Sequence, residues 1–380
     1  MRFWDGNAVP ATDDDAPTFF VRSPTALAHF LSAPGTLGLG RAYVDGSLAV
    51  DDLDGAFLVV DEWEPPELAV ADRVRLGLAL VAAAVPGGLP RRPGIELVLR
   101  GQLHSAERDA AAVRYHYDVG NEFFALFLDE SMTYSCGIFS RGATTLEEAQ
   151  RTKLELVASK LELEPGMRVL DVGCGWGSFA IHAAREHGVE VVGITLSERQ
   201  AERARERVAE AGVTDRVEIR VQDYRRLAHA SFDAISSIGM SEHVGDRQID
   251  VYAKTLFDIL KPGGTLLNHA IAALDPGAEP LEDLFSTRYV FPDGEPLALS
   301  RVQLALERAG FRTGHVEGFR EDYAETLRHW ARRLDEHIEE AERLAGVERT
   351  RVWRLYLRAA GHGFTTGLTA VYQVKARRPV

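Results

Sequence analysis

The stretch VLDVGCGWG sets Gly173, Gly175 and Gly177 at alternate positions, two residues after the carboxylate of Asp171. Glycines in such a loop let the backbone approach a ligand at the start of a helix. A dinucleotide fingerprint asks for G-x-G-x-x-G and an acidic residue closing the second strand. Ser178 stands where the last glycine should be, and Ile194-Thr195-Leu196 stand where the acid should be. Both departures weigh against a nicotinamide dinucleotide. Five further segments are polar where packing alone would not ask for it: YHYDVGN (115–121), MTYSCGIF (132–139), GMSEHVG (239–245), NHAI (268–271) and EDYAETLRHW (321–330). A Glu, a His, a Tyr and a thiol facing one pocket bind a small oxyanion or move a proton. They do not read as a metal centre, because Glu242 and His243 are adjacent and no pair has ligand spacing.

Taken singly, each residue has a plainer reading. Asp171 is satisfied by local amides, and Trp176 and Tyr323 pack. Gln200 completes a capping box with Ser197, and Cys174 fills a small gap.

The elements that must hold these residues are legible. Thr145 and Glu148 form a capping box before the helical stretch TLEEAQRTKLELVASKL. Strands follow at 167–172, 189–195, 217–222, 233–238 and 264–270, with helices at 179–188 and from Ser197 to about Gly212. LKPGG (260–264) reads as a turn. The alternation predicts an α/β fold with a mostly parallel, doubly wound sheet, in which ligands bind beyond the carboxyl ends of the strands. Glu242, His243 and His269 should then lie near the glycine loop. The C-terminal third is helical, broken near Gly346, and VYQVKARR suits an edge strand. Residues 1–90 form a smaller N-terminal α+β domain, the Pro/Gly/Arg-rich stretch 91–105 a linker, and 106–380 the main domain.

Length, 380 residues, fits two domains. The net charge of −14 argues against non-specific nucleic-acid binding. Two cysteines make no disulfide framework, the N-terminus has no apolar signal segment, and the run Leu76–Val85 is far short of the roughly 20 residues that span a bilayer. A cytoplasmic protein is expected.

Asp171 with the glycine loop, the LKPGG segment and Gln222-Asp223-Tyr224 resembles the cofactor motifs of Rossmann-like methyltransferases that use S-adenosylmethionine (SAM). The full ordered set YHYDVGNEFFALFLDESMTYSCGIF, TLEEAQRTK, VLDVGCGWG, GITLSERQ, QDY, EHVG, KPGG and DYAETLRHW resembles the cyclopropane-fatty-acyl-phospholipid synthases and their mycolic-acid relatives. GTLGLGRAYVDGSL (35–48) and VWRLYLRAA (352–360) extend the likeness over nearly the whole chain, to the long form with an N-terminal lipid-binding domain. The resemblance implies methyl transfer from SAM to the cis double bond of an unsaturated phospholipid acyl chain. It also implies a bound bicarbonate base, held by Cys136, Glu242, His269, Ile271 through its backbone, and Tyr323. SAM contacts map onto Tyr134, Ser135, Gly173, Gly175, Thr195, Gln200, Gln222 and Asp223, beside the loop residues Asp171, Trp176 and Gly177. The resemblance implies that the transfer passes through a carbocation, with Tyr117 as the expected pocket wall facing it.

Gly137-Ile138 after YSC, Ser241 before Glu242 and HGFTTGLTAVYQV depart from the family pattern and put the product in question. The alternatives are a 10-methylene chain, taken to a 10-methyl branch by a flavin-dependent reductase partner, a SAM methyltransferase of small soluble nucleophiles, and a non-catalytic lipid-binding subunit. A homodimer is a further expectation. Peripheral attachment to the inner face of the cell membrane would use Arg91, Arg92 and Arg100, or Lys375, Arg377 and Arg378, and would weaken with salt.

Overall fold

The computed structural model describes residues 1–10, 13, 15–62, 69–88, 90–97, 101–117, 119–227, 231–274 and 284–380. Asp118 and Arg100 lie outside the described residues. The chain forms two compact units: residues 1–98, 282–290 and 338–362 in the first, and 99–281, 291–337 and 363–380 in the second. Each unit is thus built from several stretches of chain, where the sequence reading expects continuous ones.

The first unit holds strands β1 (Arg2–Phe3), β2 (Phe19–Val21) and β3 (Leu48–Val50) in the order β1-β2-β3. Its apolar centre is small, built on Val21, Ala26 and Ala42. Polar pairs reinforce it: Arg41 donates twice to Glu96, at 2.7 Å each, and the Tyr289 hydroxyl donates to the same carboxylate at 3.1 Å. The stretch TLGLG (36–40) packs closely, since a Cβ at Gly40 would stand 2.2 Å from the Phe285 ring. Helices Leu53–Glu62 and Val70–Ala84 expose an apolar row. Leu58, Val60, Val70, Val74 and Leu78 are 63%, 61%, 77%, 57% and 67% exposed.

The second unit is built on a seven-stranded sheet: β4 (Arg168–Val172), β5 (Glu190–Thr195), β6 (Val217–Val221), β7 (Phe232–Ile238), β8 (Leu260–Ala273), β9 (Arg312–Gly318) and β10 (Thr369–Arg377). The order is β6-β5-β4-β7-β8-β10-β9, parallel from β6 to β8 and antiparallel across β10. Helices on both faces bury the sheet in two apolar cores, one including Leu170, Ile235 and Tyr252, the other Val169, Phe179 and Ala204. The expected strands and the Thr145/Glu148 capping box are present, and Gly346 separates the helices Ile338–Ala345 and Val347–Thr366.

Two readings need correction. VYQVKARR is not an edge strand, because β10 lies between β8 and β9, and β9 is the edge. LKPGG is not a free turn. It runs extended as the start of β8, with Gly263 at φ 80° and a bulge between the Phe232 and Ala234 pairings.

Candidate active site

The glycine loop leaves β4 on left-handed backbone, with φ of 76°, 54° and 81° at Gly173, Gly175 and Gly177. The amides of Gly173 and Cys174 both donate to the Ile194 carbonyl at 2.9 Å, tying the loop to the end of β5. Gly177 caps the helix Ser178–His187. A cavity opens at these strand ends, lined by Gly173, Gly175, Thr195, Gln200, Gln222, Tyr117 and His243 among others. Helix Ala106–Tyr117 and the segment 292–293 also line it. They are pinned by charge: Arg225 bonds Asp109 and Asp223, Arg108 bonds Asp293, and buried His104 lies between Asp109 and Glu295. Those two carboxylates raise the His104 imidazole to about 9.

The Gln200 backbone N–H donates to Ser197 Oγ at 3.2 Å. The Gln200 side chain does not close a reciprocal box; its Oε1 accepts from Thr195 Oγ1 at 2.8 Å. Asp171 lies beneath the loop, 2% exposed, and accepts from Ser236 Oγ at 2.7 Å rather than from backbone amides. Burial lifts its carboxyl to about 6. Asp223 is occupied by Arg225, at 2.6 Å and 2.9 Å. Trp176 donates to Asn121 at 2.8 Å and sets its ring edge-on to Tyr117, centroids 5.6 Å apart. Burial raises the Tyr117 phenol to about 12. Cys174, buried, packs on Gly193 as a small filler.

Segment 132–139 packs against the end of helix Ala106–Tyr117 through Tyr134. Tyr134 meets Trp330 at 5.1 Å and His116 at 5.6 Å, and Tyr323 meets Phe364 at 4.6 Å. Helix Arg320–Glu336, which carries Tyr323 and Trp330, grips this segment by its backbone. Asp322 accepts the Phe139 and Ser140 amides at 2.6 and 2.7 Å, and Thr326 accepts the Gly137 amide at 3.0 Å. A Cβ on Gly137 would stand 3.0 Å from that of Ala149, so the departure from the family pattern permits a closer approach to helix Leu146–Leu161. From that helix, buried Lys153 donates to Ser135 Oγ at 3.0 Å and Gln150 to the Ser135 carbonyl at 2.8 Å. Burial lowers the Lys153 ammonium to about 8, and burial raises the Cys136 thiol well above its usual range. Cys136 is therefore a neutral thiol donor, not a thiolate nucleophile.

Glu242 follows β7 in the short helix Ser241–Val244, and His269 lies within β8. Glu242 Oε1 accepts the Ile271 amide at 3.1 Å, whereas Oε2 is buried and makes no hydrogen bond among the described residues. Burial raises this carboxyl to about 7. His269 Nδ1 accepts from the Gln373 amide at 3.1 Å, and its Nε2 is likewise buried and unbonded. The tautomer follows from the next partners. Lys160 donates to Gln373 Oε1 at 2.7 Å, which turns the Gln373 NH2 toward His269. With Nδ1 accepting, the ring proton sits on Nε2. Burial drives the imidazole down to about 3, so it is a neutral donor. Gln373 faces His269 across β8 and Glu317 across β9, and Lys160 also bonds Glu317, at 2.5 Å.

The structure thus places the glycine loop, Thr195, Gln200, Gln222 and Tyr117 around one cavity. It joins Glu242 to Ile271 directly, and it sets Cys136 near the carbonyl of Phe319 at 3.7 Å. Sequence reasoning missed Gln373, Lys160, Lys153, Gln150, Asp322 and Thr326. The one signal available for Gln150 and Lys153 was their place on the apolar face of a helix, three residues apart.

Fold and cofactor loop together define a SAM-dependent methyltransferase. The chain belongs to the family described as mycolic acid cyclopropane synthetase, whose model matches residues 104–374. It is 38% identical to a probable fatty acid methyltransferase of Mycobacterium tuberculosis, over 99% of this chain and 90% of that one. It is 34% identical to the cyclopropane-fatty-acyl-phospholipid synthase of Escherichia coli, over 95% of this chain and 87% of that one. A mycolic acid cyclopropane synthase solved with SAH and CTAB superposes with a TM-score of 0.67 at 33% identity, covering 70% of this chain and 98% of that one.

Proposed function

We propose that this protein acts on the cis double bond of unsaturated phospholipid acyl chains and yields a cyclopropane ring. The observation that carries this reading is the pair of buried, unbonded atoms, Glu242 Oε2 and His269 Nε2. An orphaned buried acceptor or donor costs about 1–3 kcal/mol, so two in one region fit a site made for a small polar guest. SAM supplies the electrophilic methyl group and bicarbonate the base that takes a proton from it. His269 offers an N–H, Cys136 an S–H, and Glu242 either a proton or a lone pair, a donor set suited to an oxyanion. A carboxyl poised at about 7 can share a proton with such an anion instead of repelling it. Tyr323 completes the set from helix Arg320–Glu336. The aromatic walls exclude water, which an alkene nucleophile requires.

A methylene or methyl-branched product is the second reading, favoured by the tuberculostearic acid methyltransferase among the relatives, 34% identical over 97% of this chain. Incubation of the full chain with SAM and oleoyl phospholipid vesicles, followed by gas chromatography and mass spectrometry, separates the two. A ring product supports the first; a methylene chain, reduced only when a flavin reductase is added, supports the second. Unmodified lipid, with SAM bound, excludes both.

For membrane access, the first unit is the better candidate. Lys375 and Arg377 pair with Glu162, and Arg378 donates to carbonyls of Phe257 and Leu260. Arg91 and Arg92 are exposed. The apolar row around Val70, Val74 and Leu78 points to insertion between lipids rather than headgroup pairing. Vesicle binding by the full chain should then persist when salt is raised, and Leu78→Asp should weaken it. Release by salt alone would return the role to the arginines.

A further inference from the structure

We infer that Glu155, His182 and His187 form a binding site for a divalent transition-metal ion of the zinc class, apart from the chemistry of methyl transfer. His182 lies on the helix Ser178–His187 and His187 ends it, while Glu155 comes from helix Leu146–Leu161. Both imidazole Nε2 atoms stand 3.2 Å from one oxygen, Glu155 Oε2, and the three candidate ligand atoms lie within 4.8 Å of one another. Bonds of about 2.0–2.1 Å in a tetrahedral array place ligand atoms roughly 3.3 Å apart, so the observed separations leave room for an ion with little rearrangement. The donor set, two imidazoles and a carboxylate, suits zinc, cobalt or nickel rather than calcium or magnesium.

The surroundings support the same reading. The His182 and His187 side chains are 10% and 20% exposed, shielded enough to be held, while Glu155 at 56% leaves a path for the ion and a water as fourth ligand. On binding, each Nε2 would give its lone pair to the metal, with the ring N–H carried on Nδ1. The glycine loop meets the start of this helix at its N-cap, Gly177, whereas His182 and His187 lie in its middle and at its C-terminal end. A metal there cannot touch the reacting carbons. It would fasten that helix to the helix carrying Lys153 and Gln150.

The test uses the full chain. After chelator treatment and removal of the chelator, Co2+ is added and the visible spectrum recorded, and Zn2+ affinity is measured against a chromophoric chelator. One equivalent with the intense absorption of four-coordinate Co2+ is expected. His182→Gln, His187→Gln and Glu155→Gln should each lose at least about tenfold in Zn2+ affinity. Glu210→Gln, on helix Glu198–Glu210 and paired with Arg203, should bind as wild type. Saturating Zn2+ should raise the thermal midpoint of wild type by about 5 °C and leave the His variants unmoved. Six-coordinate Co2+ absorption, or equal affinity in wild type and variants, would overturn the site and leave a hydrogen-bonded trio only.

Discussion

The two sides of the catalytic unit are made in different ways. On the cofactor side, left-handed glycines and strand ends shape the cavity, and the polar groups named there already have partners: Asp171 has Ser236, Asp223 has Arg225, and Thr195 has Gln200. On the β8 side, side chains from distant segments converge, and Glu242 Oε2 and His269 Nε2 have no hydrogen-bond partner among the described residues. A surface built from strand ends and glycines tolerates a large, flexible ligand. A small anion needs fixed donors, and those need outer partners to hold them.

The largest effect should come from Glu242→Gln. Product formation is expected to fall by about 10²- to 10⁴-fold while SAM affinity, read by calorimetry, stays unchanged. Equal loss of SAM affinity would show that the two sides are not separable. Gln373→Leu attacks the outer partner of His269. It should lower activity about 10- to 100-fold, raise the bicarbonate needed for half-maximal rate, and cost about 1–3 kcal/mol in denaturant unfolding. If the bicarbonate response stays as in wild type, His269 is not held through Gln373.

Lys153→Met probes the join between the sides. The folded ammonium titrates at about 8, below its ordinary value of 10.5. Between those values the unfolded chain binds more protons, so this group makes stability rise with pH across that window. The variant should lose that rise, keep a midpoint near wild type at pH 7, and still lose SAM affinity through the freed Ser135. Midpoints that track wild type at every pH would place the charge elsewhere. The smallest effect concerns His104. Its folded value of about 9 lies above the ordinary 6.5, so its stabilisation is complete below 6.5 and is lost as pH rises through 9. His104→Gln should flatten the thermal midpoint across that range with little change at pH 9.5.

The sequence made the cofactor side legible because its residues are contiguous. VLDVGCGWG is loop and helix start in one run, and Thr145 and Glu148 cap a helix by local geometry alone. The other side was legible only through resemblance, since nothing local links Cys136, Glu242, His269 and Tyr323. Gln373 was invisible for a further reason. VYQVKAR alternates as a half-exposed edge strand would, and sequential neighbours usually pair, so insertion between β8 and β9 left no trace in the pattern. Gln200 shows the opposite limit: the capping spacing was present, yet Thr195 had the stronger claim on its side chain.

The position of β10 also has a bearing on how the enzyme matures. Gln373 is 104 residues beyond His269 in the chain, and β9 reaches the sheet only through β10. Until β10 arrives, β8 is an open edge, able to pair with any extended strand nearby. Such distant pairing is slow, and each nascent molecule passes through an exposed interval that favours aggregation at high expression. The side chain that orients His269 arrives with that same last strand, so the glycine loop is complete in the chain well before the His269 contact can form.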